Sequence, residues 1–449
     1  MSHITPKNVH ETLSKYMLAD GFDLVFDLER SKGTMFYDSR HGRKYMDFFT
    51  FFASSPIGFN HPRLTSPEMI EKLGRLAVNN ITNSDLYTVE FAEFVETFFK
   101  IAVPPQFKHS FYVSGGALGI ENALKAAMDW KVRKNLQKGY RREIGNQVMH
   151  FDESFHGRTG YTVSLTNTAD PNKYKYFAKF DWPRVTNPKL RFPLTEGHLE
   201  EVEQKEKLAV AQMKQHFMAR KDEICAIIIE PIQGEGGDNH FRTEFMQALR
   251  NLADENDAML VFDEVQTGVG LTGKMWAWQH HNVEPDMFCF GKKAQVCGFV
   301  AGPRIDEIDD NVFNVSSRIN STWGGNLIDM FRFKTYLEVI RDENLVDHAA
   351  KTGEKALFLL QKVANDYPKM VSNVRGRGLM CAFDLPTPSL RNRLVDALYE
   401  NGVCMLPSGT HSIRFRPPLN ISESEVAEGV DVISKCTGEI LEQVQLQPA

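Results

Sequence analysis

The sequence predicts an α/β protein with a mostly parallel, doubly wound sheet, and two observations support this. Short apolar runs alternate with longer helical patterns through the middle of the chain, as happens when crossover helices join parallel strands. Those runs are apolar on both faces, which a sheet covered by helices on both sides requires. The expected strands are residues 111–113, 147–151, 226–229, 259–262 and 287–290.

The helical patterns between these strands cover residues 117–136 and 243–255, and the charged stretch 196–222 predicts a solvated surface helix. After about residue 326 the pattern changes to one long helical stretch, 327–360, followed by strands interleaved with helices. We therefore predict a large domain followed by a smaller α+β domain, with an N-terminal segment too poor in apolar area to fold alone. The predicted boundaries are 1–50, 51–326 and 327–449.

Composition and charge exclude several classes of partner. The 449 residues include 52 basic and 58 acidic side chains, and the net charge of −6 gives no electrostatic reason to expect a nucleic acid or a membrane. The six cysteines form no C-x-x-C pair, and the polar start of the chain does not resemble a signal peptide. We expect reduced thiols, a cytoplasmic protein and no metal site.

Ligands of a doubly wound sheet collect at the carboxyl ends of its strands, so the residues that follow each strand are the first candidates. After strand 111–113 comes Ser114-Gly115-Gly116-Ala117 at the start of a helix, where exposed N–H groups favour a phosphate. The alternative is an ordinary tight turn. After strand 147–151 comes Phe155, which can stack on a flat heteroaromatic ligand or belong to the core.

The next three strand ends carry charged side chains. Glu230 begins a glycine-rich loop after strand 226–229, and Asp263 directly follows strand 259–262. A buried Asp needs a partner, either a protonated ring nitrogen or a helix N-terminus. Lys292 and Lys293 follow strand 287–290, where burial can lower a lysine pKa and make the amine a Schiff-base nucleophile; the alternative is two surface lysines.

Together these strand ends indicate one cofactor. A phosphate turn, a stacking aromatic ring, a carboxylate for a ring nitrogen and a nucleophilic lysine are what pyridoxal 5′-phosphate (PLP) requires of a protein. The G-x-G-x-x-G pattern at residues 268–273 would instead suggest a dinucleotide, but five residues separate it from the strand that it should follow directly.

The sequence resembles the class III (ω-amino) aminotransferases of PLP fold type I, and within them the lysine ε-aminotransferases. The resemblance spans nearly the whole chain and is carried by residues 51–58 (FFASSPIG), 114–118 (SGGAL), 121–127 (ENALKAA), 155–161 (FHGRTGY), 230–238 (EPIQGEGGD), 262–268 (FDEVQTG), 290–298 (FGKKAQVCG), 320–326 (NSTWGGN), 375–380 (RGRGLM) and 414–419 (RFRPPL). The Gly-Gly-Ala-Leu phosphate loop and the double lysine depart from the broad class and resemble that subgroup.

The resemblance leaves two lysines as candidates for covalent attachment of PLP. Alignment on the preceding glycine favours Lys292, whereas ungapped alignment on the following glycine favours Lys293. We predict Lys293, with Asp263 keeping the pyridine nitrogen protonated. The cofactor contacts that the resemblance implies are Gly115, Gly116, Ala117, Phe155, Glu230, Asp263, Val265, Gln266, Lys293 and Thr322.

The resemblance also implies a homodimer with the site at its interface, to which Thr322 comes from the other subunit. Arg158 and Arg414 are expected to bind substrate carboxylates, since guanidinium grips them with two hydrogen bonds, although either could form a structural ion pair. Glu235 is expected to cover Arg414 when an amine enters and to release it for a keto acid. Asn320 completes the predicted substrate contacts.

The implied reaction is L-lysine plus 2-oxoglutarate giving 2-aminoadipate 6-semialdehyde, which cyclises to piperideine-6-carboxylate, plus L-glutamate. Another ω-aminotransferase, acting on ornithine, 4-aminobutyrate or a diamine, is the nearest alternative. A PLP decarboxylase or racemase, or a binding protein without activity, remains open because a fold does not fix a function.

Overall fold

The computed structural model describes residues 4–446 of the chain. Within those residues the strands, numbered along the chain, are β1 (Met35–Asp38), β2 (Arg43–Asp47), β3 (His109–Val113), β4 (Gln147–Phe151), β5 (Arg184–Val185), β6 (Ile224–Ile229), β7 (Met259–Asp263), β8 (Met287–Phe290), β9 (Cys297–Ala301), β10 (Ser372–Arg377), β11 (Met380–Asp384), β12 (Val403–Cys404), β13 (Leu406–Ser408) and β14 (Ser412–Phe415).

The helices of the same residues are α1 (Val9–Ser14), α2 (Thr50–Ala53), α3 (Pro62–Thr65), α4 (Pro67–Val78), α5 (Val89–Ile101), α6 (Gly116–Gln137), α7 (Gly160–Leu165), α8 (Glu196–Ala219), α9 (Thr243–Glu255), α10 (Leu327–Asp342), α11 (Leu345–Asp366), α12 (Pro388–Glu400) and α13 (Glu423–Gln445). Short 3₁₀ turns cover Pro171–Lys173, Ala277–His280, Lys292–Ala294 and Pro303–Glu307.

The large sheet has the strand order β3-β9-β8-β7-β6-β4-β5. Strands β5, β4, β6, β7 and β8 are parallel, and β9 is antiparallel to both of its neighbours. The five strands predicted from the sequence all belong to this sheet, so the mostly parallel α/β fold is confirmed. Strand β9 was not predicted, because its residues were interpreted as the end of the lysine motif.

The central strands are buried on both faces, with alternate residues in two different apolar clusters. In β7, Met259 and Val261 pack with α6, whereas Leu260 and Phe262 pack in the main core. Burial of each such side chain contributes about 1.5–3 kcal/mol. This two-sided burial fixes the register of β7 and therefore which residue stands at its carboxyl end.

Two predicted helical stretches have different outcomes. The charged stretch forms α8, which buries a single stripe of side chains and exposes the rest, as predicted. The single helix predicted for residues 327–360 is wrong, because the chain breaks between α10 and α11. Asn344 has a left-handed φ of 51° there, a conformation that asparagine tolerates better than most residues and that ends a right-handed helix.

Two smaller sheets complete the fold. One is antiparallel with the order β10-β11-β14-β13, and the other has the order β1-β2-β12. Because β2 pairs in parallel with β12, the N-terminal strands join the C-terminal part of the chain. The division at residues 50/51 and 326/327 stays a prediction, and residues 1–3 and 447–449 lie outside the described part.

Between residues 4 and 446, no helix combines the length and the apolar character needed to cross a membrane.

Candidate active site

A pocket of about 260 Å³ lies at the carboxyl ends of the parallel strands, where the sequence analysis expected the ligand. It is lined by Gly116, Ala117, Phe155, His156, Gly157, Glu230, Asp263, Val265, Gln266 and Lys292. The sequence-based search therefore found the loops that build the pocket.

The N-terminus of α6 supplies the anion-binding end of the pocket. Gly115 precedes the helix with a positive φ of 114°, and no acidic side chain occupies the first turn. Helix N–H groups without intrahelical partners and the positive end of the helix dipole both favour a phosphate at this point. The Cβ atom that any other residue would add at Gly116 lies 3.1 Å from Val265 Cγ1, so the loop packs closely on the pocket wall.

Gly157 allows the loop after β4 to pack directly on this helix start. Its φ is 132°, and a Cβ built there lies 2.5 Å from the Cβ of Ala117. We expect Gly157→Ala to displace Ala117 and to weaken PLP binding by roughly tenfold or more, since non-glycine residues at such φ cost about 1–3 kcal/mol.

Titration of the apo-enzyme with PLP measures this effect. Gly139→Ala is the matched control, because Gly139 also has a positive φ, 96°, but a Cβ there meets nothing within 4 Å. Equal PLP affinity in the two variants would show that contact with Ala117 is unimportant.

Asp263 and His156 form a buried pair at the end of β7. Asp263 is only 5% exposed, and its Oδ2 accepts a 2.7 Å hydrogen bond from His156 Nδ1, while Oδ1 accepts one from the Val265 N–H at 3.0 Å. The sequence analysis gave His156 no role. Its position next to Phe155, in the loop that follows a strand, was the available signal.

Glu230 joins two loops of the pocket. Its carboxylate accepts hydrogen bonds from the N–H groups of Phe155, at 2.9 Å, and Gly234, at 3.0 Å. Burial raises the pKa of Glu230 to about 7, with the nearby Asp263 carboxylate adding to the rise and His156 opposing it. Both oxygens bind backbone, so Glu230 shapes the wall of the pocket.

Two apolar side chains, Phe155 and Val265, and the amide of Gln266 form the rest of the pocket wall. Phe155 and Val265 both line the pocket, and their placement on the two faces of a flat ring stays a prediction. The buried Oε1 atom of Gln266 has no hydrogen-bond partner within residues 4–446. Buried polar atoms are almost always paired, so this oxygen indicates a ligand with a polar group.

The structure places the two candidate lysines differently, because Lys292 lines the pocket and Lys293 does not. Lys293 Nζ instead donates hydrogen bonds to the carbonyl oxygens of Gln266, at 2.7 Å, and Ala53, at 3.1 Å. Both lysines lie in a 3₁₀ turn, in which successive side chains diverge by about 120°, so only one can point into the pocket.

The environment of Lys292 favours an uncharged amine. Burial lowers its pKa, and the Arg414 cation lowers it further, whereas the carboxylates of Glu235, Asp263 and Glu230 oppose the change. Burial, assisted by Lys292, lowers the pKa of Lys293 to about 7. A low pKa is therefore common to both lysines, and only position distinguishes them.

Arg414 and Glu235 form an ion pair, with Arg414 Nη2 2.8 Å from Glu235 Oε2. The guanidinium is buried and also lies 5.9 Å from the ring centre of Phe52. Lys173 binds the other oxygen of Glu235. Burial opposes ionisation of Glu235, but Arg414 and Lys173 hold the pKa of its carboxyl below the ordinary value.

Besides Lys293, six predicted site residues do not line the pocket within one chain: Gly115, Arg158, Glu235, Asn320, Thr322 and Arg414. The side chains of Arg158, Asn320 and Thr322 are exposed. Asn320 Oδ1 accepts a local hydrogen bond from the N–H of Ser321. The predicted roles of Arg158, Asn320 and Thr322 therefore depend on a second subunit or on a rearrangement.

Comparison with known protein families decides how this pocket is interpreted. The family model for class III aminotransferases matches residues 17–437. The chain belongs to the class III aminotransferases. Its fold is PLP fold type I, and its cofactor is PLP. The pocket fits PLP, since it combines a helix N-terminus, a buried carboxylate, an unpaired amide oxygen and a buried lysine.

Individual class III aminotransferases are similar over almost their full length. The chain is 49% identical to L-lysine-epsilon aminotransferase of Mycobacterium tuberculosis, covering 96% of this chain and 95% of the relative. It is 47% identical to L-lysine-epsilon aminotransferase of Amycolatopsis lactamdurans, covering 95% of each. A solved structure of lysine aminotransferase from M. tuberculosis superposes with a TM-score of 0.95 at 48% identity, covering 97% of this chain and 100% of that one.

Proposed function

We propose that this enzyme is an L-lysine 6-transaminase, which moves the ε-amino group of L-lysine to 2-oxoglutarate and releases L-glutamate. The observation that carries the proposal is the ion pair of Arg414 with Glu235 near Lys292. The pair gives the site two states, one in which Glu235 neutralises the Arg414 cation and one in which the cation is free. Similarity to enzymes named for lysine supports the same substrate. Another ω-aminotransferase remains the alternative.

Bound PLP supplies an electrophilic carbon for the amine and an electron sink for the negative charge that develops at the substrate carbon. Lys292 is the residue that we assign to covalent attachment and to proton transfer between the substrate carbon and the cofactor. Burial lowers the pKa of Lys292 and so favours the uncharged amine, which both roles require. In this assignment Lys292 takes the place that the sequence analysis gave to Lys293.

The residues around Lys292 orient the cofactor and adjust its charge. The Asp263 carboxylate would hold a proton on the pyridine nitrogen, and His156 fixes that carboxylate through its 2.7 Å hydrogen bond. The Gln266 side chain, whose Oε1 atom lacks a partner in the described residues, would bind the 3-oxygen, and Phe155 and Val265 would exclude water from the two faces of the ring. Gly115, Gly116 and Ala117 would hold the phosphate at the start of α6.

The paired state of Arg414 suits L-lysine, and its free state suits 2-oxoglutarate. While Glu235 neutralises Arg414, an uncharged part of the pocket accepts the side chain of lysine with the ε-amine leading. When Glu235 leaves, the guanidinium binds the α-carboxylate of the keto acid with two hydrogen bonds. Arg158 is assigned to the other carboxylate.

We also propose that the active enzyme is a homodimer. Thr322 and Asn320 are exposed in one chain, next to the exposed ring of Trp323, which suits a surface that another subunit covers. Thr322 then supports the phosphate of the neighbouring subunit, and Asn320 lies near its substrate. Six free, buried cysteines support a cytoplasmic location.

Removing the Glu235 carboxylate should shift the balance between the two half-reactions. In Glu235→Ala, Arg414 keeps its charge at all times, so we expect the lysine half-reaction to weaken relative to the glutamate half-reaction. The expected change in their ratio is about 5–150-fold, the range of typical coupling free energies. Single-turnover absorbance measurements with each amino acid report the two rates separately.

Glu235→Gln is the companion variant, because it keeps the volume and removes the charge. The switch requires that it behave like Glu235→Ala. An unchanged ratio in both variants would remove Glu235 from the account while leaving the aminotransferase assignment intact.

The substrate is tested by the absorption spectrum of the purified enzyme before and after L-lysine is added without a keto acid. The proposal expects a band near the visible edge that bleaches, together with a six-membered imine that reacts with o-aminobenzaldehyde. Bleaching by ornithine or 4-aminobutyrate but not by lysine would support the alternative substrates. Release of carbon dioxide would favour a decarboxylase, and inversion of the amino acid without a keto acid would favour a racemase. Absence of an absorption band even after PLP is added would favour a binding protein without activity.

A further inference from the structure

We propose that Lys173 is a positioning residue for substrate alternation, which holds the Glu235 carboxylate when that group leaves Arg414. The inference rests on the proposed switch of Glu235 and names the residue that makes the open state accessible. Lys173 stands in no sequence motif of the site, and the segment around it is otherwise a surface loop.

The position of Lys173 is unusual for its surroundings. It ends the 3₁₀ turn Pro171–Lys173, and its neighbours Lys175 and Tyr176 are exposed. The side chain of Lys173 is only 17% exposed and contacts Glu235, whose side chain is 20% exposed. One lysine of a solvated loop is therefore directed inward onto Glu235, the carboxylate that also pairs with Arg414.

The two oxygens of Glu235 bind two different cations. Oε2 accepts from Arg414 Nη2 at 2.8 Å, and Oε1 accepts from Lys173 Nζ. A carboxylate shared in this way can give up one partner and keep the other. The arrangement therefore differs from a simple ion pair, in which separation leaves both charges alone.

Burial makes the second cation important. A largely buried carboxylate that loses its only partner is strongly destabilised, because the low-dielectric surroundings do not replace the lost interaction. With Lys173 present, Glu235 remains paired after it leaves Arg414, so opening becomes easier. The free guanidinium is needed for 2-oxoglutarate and L-glutamate, so Lys173 should favour that half of the reaction.

A cavity lies beside the segments that carry the two side chains. It has a volume of about 750 Å³ and is lined by Pro171, Tyr174, Gly236 and Gly237, the sequence neighbours of Lys173 and Glu235. The loops that hold the pair therefore border open space and not packed core on this side.

The test compares Lys173→Met with Lys175→Met in the holoenzyme, using single-turnover absorbance changes of the PLP form with L-lysine and of the aminated (pyridoxamine phosphate) form with 2-oxoglutarate. Lys175 is the matched control, because it is exposed in the same loop and its Nζ atom lies 5.2 Å from the ring centre of the neighbouring Tyr176. We expect Lys173→Met to weaken 2-oxoglutarate binding by roughly tenfold and to change the lysine half-reaction less than about twofold. Lys173→Arg should restore most of the loss, and Lys175→Met should resemble the parent enzyme.

A double variant separates failure of this inference from failure of the switch. In the Glu235→Ala background, Lys173→Met should have no further effect on either half-reaction, since the carboxylate that it holds is absent. If Glu235→Ala shifts the ratio but Lys173→Met does not, the inference is wrong and the switch stands. An equal loss in both half-reactions, or a full effect in the Glu235→Ala background, would also overturn it by showing a general structural role.

Discussion

Lys292→Met is expected to abolish transamination, lowering kcat by at least about 10³-fold, because proton transfer alone typically contributes 10²–10⁴-fold. The variant should still bind PLP in the pocket, but reversibly and without the absorption band of the protein-bound Schiff base. Steady-state turnover and the spectrum after gel filtration measure the two effects.

Lys293→Met is the control for this prediction, since the same substitution is made one residue away in the same 3₁₀ turn. It should retain kcat within about fivefold and lose about 1–3 kcal/mol of unfolding free energy, because two buried carbonyl oxygens lose their donor. Borohydride reduction followed by peptide mapping should find the pyridoxyl group on Lys292. A label on Lys293 would reverse the assignment.

Asp263→Asn is expected to lower kcat by about 10²–10³-fold, comparable to the loss of one preorganised electrostatic group in other active sites. The amide has the shape of the carboxylate but no charge, so the pyridine nitrogen loses the partner that keeps it protonated. The PLP absorption spectrum and kcat measure this change.

Asp286→Asn is the matched control for Asp263→Asn. Asp286 is also a buried carboxylate near the sheet, but it pairs with Arg250 and Arg304 and does not line the pocket. Its loss should lower the melting temperature and leave kcat nearly unchanged. Equal effects of the two variants on kcat would mean that Asp263 acts only through stability.

The sequence predicted the large sheet well because buried parallel strands are continuous apolar runs. The failures have local physical causes. Only two residues separate strand β9 from the 3₁₀ turn before it, so the first residues of the strand were assigned to the lysine motif. The break between α10 and α11 depends on one left-handed residue, Asn344, and the helical periodicity on both sides conceals it.

Candidate site residues could be predicted where the position at a strand end alone identifies them. They were harder to predict where a contact joins distant parts of the chain. Asp263, Phe155 and Glu230 were candidates because each stands at or just after the end of a strand. The pairing of His156 with Asp263 joins a loop to a strand end 107 residues away, and periodicity carries no signal for it. Likewise, the direction of a lysine in a 3₁₀ turn depends on the backbone angles of that turn.

The most direct test of the central claim follows the nitrogen that is transferred. L-Lysine labelled with ¹⁵N at either the ε- or the α-position is incubated with the enzyme and 2-oxoglutarate, and the glutamate formed is examined by mass spectrometry. The account predicts labelled glutamate from ε-labelled lysine and unlabelled glutamate from α-labelled lysine. Label from the α-position, or no glutamate from lysine, would contradict it.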